Sequence, residues 1–485
     1  MLSKPNDLEL YIHIPFCVSK CRYCDFVSAP GTPEQIDAYV DALCSEIKTA
    51  GAEYAGRHIT SIYMGGGTPS LLSNEQFEKV VNTLQQTFGL VRQYGAKGPF
   101  SLDGKKNGNT INYLFNNAVK DLQYQIEFTV EINPESITPE KYKRYKQLGV
   151  NRISIGMQAG TDEELKLLGR AHNSEQFIDA FFRARDAGME NINIDLLQAI
   201  PGQTVVSYMK TLYSLMMLGP DHISTYSLIV EPGTPLCEMS VKENDVWKYF
   251  KAEDGEVLPF PTEDEDREIY KVSSEFLEKA GLSRYEISNF AKKDRECRHN
   301  IGYWQRQNYL GFGLNSSSMI DNVRWKNTKD LAKYMMVFGD GNEVKNKNYK
   351  SADLKEKIEN IDCENSISKE NCICDEKIIG SCDVNHIRED IEKLSVKEQM
   401  SEFMFLGLRM QKGVAKEEFM EAFGVDFDHQ YGEITQKFID EGFMEVKEFE
   451  YYNPETKSDY VKTRVSLTDK GIDVSNTIMA EYLLD

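Results

Sequence analysis

Three cysteines, Cys17, Cys21 and Cys24, follow a short alternating apolar run that begins at Tyr11. The i, i+4, i+7 spacing puts three thiols on one loop directly after a strand. Three thiolates on one loop can hold three corners of an iron–sulfur cube, whereas a cube held by protein alone takes four. One iron then stays open to an outside ligand, and S-adenosylmethionine can chelate it through its amino and carboxylate groups. An electron from such a [4Fe-4S] cluster breaks the sulfonium and releases a 5′-deoxyadenosyl radical, chemistry that the cofactor carries and the chain positions. The rival readings are weaker. A zinc site wants a second ligand pair, and no CxxC pair follows. A disulfide loop fits poorly with an N-terminus that has no apolar signal core.

The rest of the first two thirds is organised around that loop. Strands are expected at Leu8–Phe16, Ile59–Met64, Gln125–Ile132, Arg152–Gly156, Asn191–Leu196 and His222–Ile229, each followed by a helical pattern. Thr32 and Pro33 open the first helix, whose apolar positions Ile36, Tyr39, Val40, Leu43 and Ile47 share one face. Alternating strands and helices imply a parallel sheet with helices outside, and right-handed crossovers make it an open, partial (β/α)6 barrel. In such barrels the chemistry sits in the loops after the strand C-termini. The cysteine loop, the run Gly65-Gly66-Gly67-Thr68, Glu131, Gln158 and Asp195 all fall on that rim.

Two segments interrupt the pattern. Residues 89–121, rich in Gly, Asn and Lys, read as a surface insertion on the opposite loop face. Residues 333–393 read as a linker or insertion carrying Cys363, Cys372, Cys374 and Cys382 in a spacing that fits no common metal finger. The chain thus divides into a barrel over 1–332, that linker, and a C-terminal domain over 394–485. Three helical patterns followed by a hairpin pattern give the last domain a winged-helix-like look. A net charge of −21 argues against nucleic acid as its partner, because phosphate binding needs a basic face. No apolar run is long enough to span a membrane, and the ten cysteines without a secretory signal point to a reducing cytoplasm.

Individual residues carry the chemistry. The triple glycine lets backbone approach a ligand closely. Glu131 and Asp195, at strand ends, can accept hydrogen bonds from ribose hydroxyls or an ammonium group. Gln158 and Arg170 can bind adenosine or a carboxylate, arginine as a two-pronged fork. The segment Cys297-Arg-His299-Asn-Ile-Gly-Tyr-Trp304 sets an imidazole beside two aromatics, a combination able to ligate heme iron or to form an ordinary hydrogen-bonded domain edge.

Together, Tyr11–Phe26, Met64–Ser70, Glu131–Pro134, Arg152–Gln158, Leu168–His172, Asp195 and Pro201–Gln203 resemble radical-SAM proteins related to oxygen-independent coproporphyrinogen III oxidase. Within that group the chain resembles HemW-type heme chaperones. The oxidase carries a fourth cysteine two residues after the third, where this chain has Phe26, and His299-Asn-Ile-Gly-Tyr-Trp304 matches the chaperones' HNxxYW signature. The resemblance implies cluster ligation by Cys17, Cys21 and Cys24, and S-adenosylmethionine contacts from Tyr11, Gly66, Gly67, Thr68, Glu131, Gln158, Arg170 and Asp195. It also implies heme binding through His299. The expected function is a heme chaperone that delivers heme to client hemoproteins. An electron donor such as flavodoxin or ferredoxin is expected, with peripheral membrane contact only through clients. The alternative from the same group is radical decarboxylation of coproporphyrinogen III propionates; a regulatory module acting through the C-terminal domain is a third reading. The cysteine-bearing segment 333–393 lies outside the family pattern.

Overall fold

The computed structural model describes residues 6–90, 126–339, 384–453 and 458–484. Six strands run parallel in chain order: β1 (Asp7–Ile14), β2 (His58–Gly66), β3 (Glu127–Ile132), β4 (Arg152–Gln158), β5 (Asn191–Gln198) and β6 (His222–Ser227). Both faces of these strands are covered, which is why β3 and β4 read as nearly continuous buried runs instead of alternating ones. The helices that cover them begin at strong start signals. Thr32 Oγ1 accepts from Gln35 N at 3.3 Å while the Gln35 side chain accepts from Thr32 N at 2.9 Å, a reciprocal cap worth about 1 kcal/mol. Ser73 and Gln76 repeat the device one unit later. Ile36, Tyr39, Val40, Leu43 and Ile47 lie buried on the face that packs against the sheet.

After β6 the chain departs from the simple alternation. A small antiparallel sheet of β7 (Ser240–Glu243), β8 (Val246–Lys251) and β9 (Val257–Pro259) sits over the loops, a unit the sequence pattern does not announce. Strands β10 (Ser283–Glu286) and β11 (Asn289–Ala291) extend the β6 edge antiparallel. On the other edge β12 (Tyr309–Phe312) joins β1 in parallel, and β13 (Ser317–Ile320), β14 (Val323–Asn327) and β15 (Arg388–Lys393) follow antiparallel. The result is one twelve-stranded sheet whose end strands are β10 and β15. The expected linker over 333–393 is therefore structured at both ends: a helix runs Leu331–Phe338, and β15 pairs with β14. The four cysteines Cys363, Cys372, Cys374 and Cys382 and most of the insertion at 89–121 lie outside the described residues.

The C-terminal region has a core of its own. Met400, Met404, Phe419, Phe427, Tyr431, Val465 and Tyr482 pack together beneath helices at Val396–Gly407, Lys416–Phe423 and Phe427–Asp440. Strands β16 (Val414–Ala415), β17 (Met444–Asn453) and β18 (Ser458–Leu467) form a sheet, with β17 and β18 as the expected hairpin. After the hairpin the chain closes on two short helices, Asp469–Asp473 and Ser475–Ala480, separated at Val474. Buried Glu402 fastens this region to the barrel. It accepts from Arg306 Nε at 2.9 Å and pairs also with Arg324, so its charge is matched where its solvation is lost. No helix among the described residues is long and apolar enough to cross a membrane.

Candidate functional site

The cysteine loop is closed at its base by main-chain bonds. Cys17 N donates to Ala29 O at 3.2 Å and Ala29 N to Pro15 O at 3.0 Å. Cys24 N donates to Cys21 O at 3.3 Å, so the second and third cysteines share a turn. The loop is also held from the side. Arg22 N donates to Leu168 O at 2.9 Å and Leu236 N to Arg22 O at 2.8 Å, which ties it to the loops after β4 and β6. A small apolar cluster that includes Leu165, Leu168, Leu197, Val230 and Leu236, with Tyr23 against it, backs these bonds. All three thiols are half-buried and free. Burial, then the neighbouring Cys21 and Cys17, push the Cys24 thiol up. Phe26 is 62% exposed just past the last cysteine.

The end of β2 meets this loop. Gly67 N donates to Ile14 O at 2.8 Å and Thr68 N to Phe16 O at 2.7 Å. A Cβ on Gly67 would lie 2.7 Å from both of those carbonyl oxygens, and one on Gly66 would strike the His13 ring at 2.4 Å. Gly66 also has φ +105°, which only glycine takes cheaply. The close approach that these glycines permit is thus first of all to the chain itself. Tyr11 stacks on Tyr63 and donates from Oη to His13 Nδ1 at 3.1 Å.

Glu131 and Asp195 stand opposite this wall. Glu131 accepts from Tyr63 Oη at 2.9 Å and from Gly66 N at 3.2 Å. Burial, followed by the charge of Asp195, pushes its carboxyl up to about 7. Asp195 accepts from Ser154 Oγ at 2.7 Å and Asn193 Nδ2 at 2.8 Å, and burial raises it too. Among the described residues neither carboxylate is in a close ion pair. Two acidic groups raised by their surroundings in this way favour the arrival of a cationic ligand.

Arg170 joins the acidic wall to the cysteine loop. Its Nη1 donates to Cys21 Sγ at 3.3 Å, and its Nη2 donates to Asn133 Oδ1 at 2.7 Å and Gly156 O at 3.1 Å. Its Nε is buried without a partner. Asn133 in turn donates to Thr68 Oγ1 at 2.9 Å. Gln158 sits at a register shift in β4 with φ +70°, a conformation unusual for a residue with a side chain. A Cβ on Gly156 would lie 3.0 Å from both Asn133 Oδ1 and Gln158 Nε2, so that glycine lets the three side chains converge.

The donor set fits a cluster better than a single ion. Three thiols on one closed loop are present, yet no three His, Cys, Asp or Glu side chains among the described residues are grouped to hold one metal ion. A cube spreads its thiolates over separate irons, so three thiols on one closed loop suit it. The orphaned Arg170 Nε and the paired carboxylates supply both a donor and acceptors for an amino-acid end.

His299 lies elsewhere. It is 1% exposed, on a seven-residue helix, Arg298–Trp304, that plugs the other end of the barrel. Its Nδ1 is hydrogen-bonded to Ser61 Oγ at 2.7 Å and its Nε2 to Tyr303 Oη at 2.9 Å, and its ring stacks on Tyr63 at 5.1 Å. Burial lowers its pKa to about 3. Both ring nitrogens are hydrogen-bonded in this conformation, so iron ligation by His299, as the resemblance implies it, would require the bond to Ser61 or Tyr303 to be given up. A ligating imidazole needs a free lone pair and a path to it. Cys297, two residues before it, is fully buried against Glu127.

Sequence reasoning missed the residues that support the others: Asn133 between Arg170 and Thr68, Ser154 and Asn193 beneath Asp195, and Glu127. The Glu127 carboxylate accepts from Arg298 N at 3.0 Å and His299 N at 3.1 Å, capping the plug helix from inside the barrel. Asn133 and Ser154 lie within strand-end stretches that drew attention for other members; nothing in the local sequence marks Glu127.

The chain is similar to known proteins over most of its length. The model of the Radical SAM superfamily matches residues 11–212, and that of the HemN C-terminal domain matches 394–448. The heme chaperone HemW of Lactococcus lactis subsp. lactis (strain IL1403) is 30% identical over 485 residues, covering 100% of this chain and 99% of that protein. HemW of Bacillus subtilis (strain 168) is 29% identical over 442 residues, covering 91% and 94%. HemW of Escherichia coli (strain K12) is 31% identical over 315 residues, covering 64% and 70%. Among solved structures, coproporphyrinogen III oxidase (HemN) from Escherichia coli superposes with a TM-score of 0.66 at 19% identity, covering 99% of this chain and 90% of that one. That likeness speaks for the fold: a partial radical-SAM barrel with a helical, winged-helix-like C-terminal domain. Matched from end to end by a HemW and carrying the three-cysteine loop on such a barrel, the chain belongs to the HemW heme chaperone family of the radical SAM superfamily.

Proposed function

We propose that the chain is a heme chaperone that binds heme and hands it to client hemoproteins, on a scaffold whose rim holds a [4Fe-4S] cluster and S-adenosylmethionine. One observation carries the choice over the oxidase: the end-to-end similarity to a heme chaperone, with exposed Phe26 where the oxidase pattern has a fourth cysteine. Cys17, Cys21 and Cys24 would hold the cluster, which supplies an electron to the sulfonium when bound. Arg170 steadies Cys21 and orients the loop. Glu131 and Asp195 would receive the ligand's ammonium and ribose, with Tyr11, Gly66, Gly67, Thr68 and Gln158 completing the wall. A small electron carrier such as flavodoxin or ferredoxin would reduce the cluster.

The test separates the two activities. Heme titrated into the protein should saturate, as followed by its visible spectrum. Anaerobic incubation of the reconstituted protein with coproporphyrinogen III and S-adenosylmethionine should yield no protoporphyrinogen. Clear turnover would reject the chaperone reading in favour of the oxidase.

A further inference from the structure

A stack of aromatic rings runs through the barrel from the rim to the plug. Tyr11 and Tyr63 stack at 6.3 Å, Tyr63 and His299 at 5.1 Å, and His299 meets Tyr303 edge-on at 4.7 Å. Tyr303 then meets Tyr309 edge-on at 4.7 Å, beside the Arg324–Glu402 pair that holds the C-terminal domain. Burial raises all four phenols above their ordinary value, so they stay neutral. Three of them have an acceptor for the proton. Tyr11 Oη donates to His13 Nδ1 at 3.1 Å, Tyr63 Oη to Glu131 at 2.9 Å and Tyr303 Oη to His299 Nε2 at 2.9 Å. With Nε2 accepting, His299 Nδ1 donates to Ser61 Oγ at 2.7 Å. Glu9 Oε2 lies 3.9 Å from that nitrogen, buried without a hydrogen-bond partner.

We propose that this stack is a redox relay: Tyr63 gives a hydrogen atom to a radical formed at the rim, and the Tyr303–His299 pair takes up the oxidation at the plug. The proposal rests on the reading of the rim as a radical-SAM centre and gives that centre a way out. Tyr63 touches both ends, its hydroxyl on the Glu131 carboxyl that also holds Gly66 N and its ring on His299. Tyr63 gives its Oη hydrogen atom to the 5′-deoxyadenosyl carbon, so an O–H bond breaks as a C–H bond forms, leaving 5′-deoxyadenosine and a phenoxyl radical. One electron then passes from Tyr303 through the His299 ring to Tyr63. The Tyr303 proton moves along its hydrogen bond to His299 Nε2, and protonated Glu131 returns a proton to Tyr63. The products are a phenol at Tyr63, a carboxylate at Glu131, a phenoxyl radical at Tyr303 and an imidazolium at His299. An oxidised phenol that kept its proton would be a cation buried in an apolar interior, so an acceptor at each phenol is what lets the oxidation move. Glu9 keeps an unspent acceptor where the positive charge arrives.

The experiment follows the hydrogen and the radical separately. The full chain, reconstituted with its cluster, is reduced anaerobically by dithionite in D2O with S-adenosylmethionine, and frozen samples are read by electron paramagnetic resonance. Wild type should give 5′-deoxyadenosine carrying a solvent deuterium, by mass spectrometry. It should also give a tyrosyl signal that narrows in protein grown on ring-deuterated tyrosine. Tyr63→Phe removes one oxygen and should lose both the deuterium and the signal. Tyr303→Phe should keep the deuterium and show a tyrosyl signal of different hyperfine pattern and shorter life. Tyr460→Phe, at a residue 40% exposed on the C-terminal hairpin, should match wild type in both readouts. Deuterium-free 5′-deoxyadenosine from wild type, or identical signals from wild type and Tyr303→Phe, overturns the relay and leaves the rim reading standing. A signal lost in Tyr460→Phe overturns it too, since the radical then settles on the surface. No 5′-deoxyadenosine from wild type overturns the rim as a radical centre, and the relay with it.

Discussion

The two ends of the barrel are built from similar residue types and do opposite things. At the strand C-termini Cys17, Cys21 and Cys24 are half-buried, Glu131 and Asp195 are raised, and Arg170 Nε has no partner. At the other end His299 is bonded through both ring nitrogens, and its helix is capped by Glu127. A polar group with unspent capacity invites a ligand; one whose bonds are all made holds the fold. The difference sets a rim with raised acids and an unspent arginine donor against a histidine whose ring is fully bonded, although it is the histidine that belongs to the motif resembling a heme site.

The largest effect that should distinguish the two ends is at the rim. Cys21→Ala removes one of three thiols and should abolish the reconstituted cluster, bringing bound iron from about four per chain to near none. Iron and sulfide assays check it, and thermal stability should move by no more than about 1 kcal/mol, since the thiol is half-exposed. Iron retained at the wild-type level would remove the loop as the cluster site. The plug should answer in the reverse way. A Cβ on Gly302 would lie 2.1 Å from Glu9 Oε1, and Glu9 is 1% exposed with no room to retreat. Gly302→Ala should therefore cost about 3 kcal/mol in urea unfolding, at the upper end of overpacking costs, and leave the cluster of whatever protein folds unchanged. A neutral result would mean that the plug is loosely seated.

Much of the barrel was legible because its signals are local and repeated. Capping residues, buried helix faces and strand-end loops recur along the first two thirds, and the right-handed crossover arranges them. The strands β12 to β15 were not legible, since four- to six-residue segments show no period long enough to register. The rim also could be read, because Cys17, Cys21, Cys24, Gly65 to Gly67, Glu131 and Asp195 each follow a recognisable strand. The surroundings of His299 were not legible, for a physical reason. Spacing says which residues share a helix, but which way that helix faces is decided here by the Glu127 carboxylate on β3 and by Ser61 on β2, remote in the chain. Arg170 fell between: its role as a fork was readable, whereas its bond to Cys21 depends on how the loop after β4 packs.

The smallest predicted effect tests whether His299 is structural, and it works through pH. Its folded pKa, about 3, lies below its ordinary 6.5. The unfolded chain therefore binds the extra proton first as pH falls. The contribution of the neutral imidazole is full above pH 6.5 and is lost progressively on the way down towards pH 3. At pH 7.5, His299→Gln should destabilise the protein by about 1–2 kcal/mol through lost bonds to Ser61 and Tyr303. At pH 5 the wild type bears a penalty that the glutamine variant does not, worth roughly 2 kcal/mol at 1.36 kcal/mol per pKa unit. The gap between the two proteins should therefore close or change sign between pH 7.5 and pH 5, as measured by urea unfolding at each pH. A gap that stays constant would mean that the imidazole titrates freely. It would then have to be reachable from solvent, and a ligand role at the plug would return.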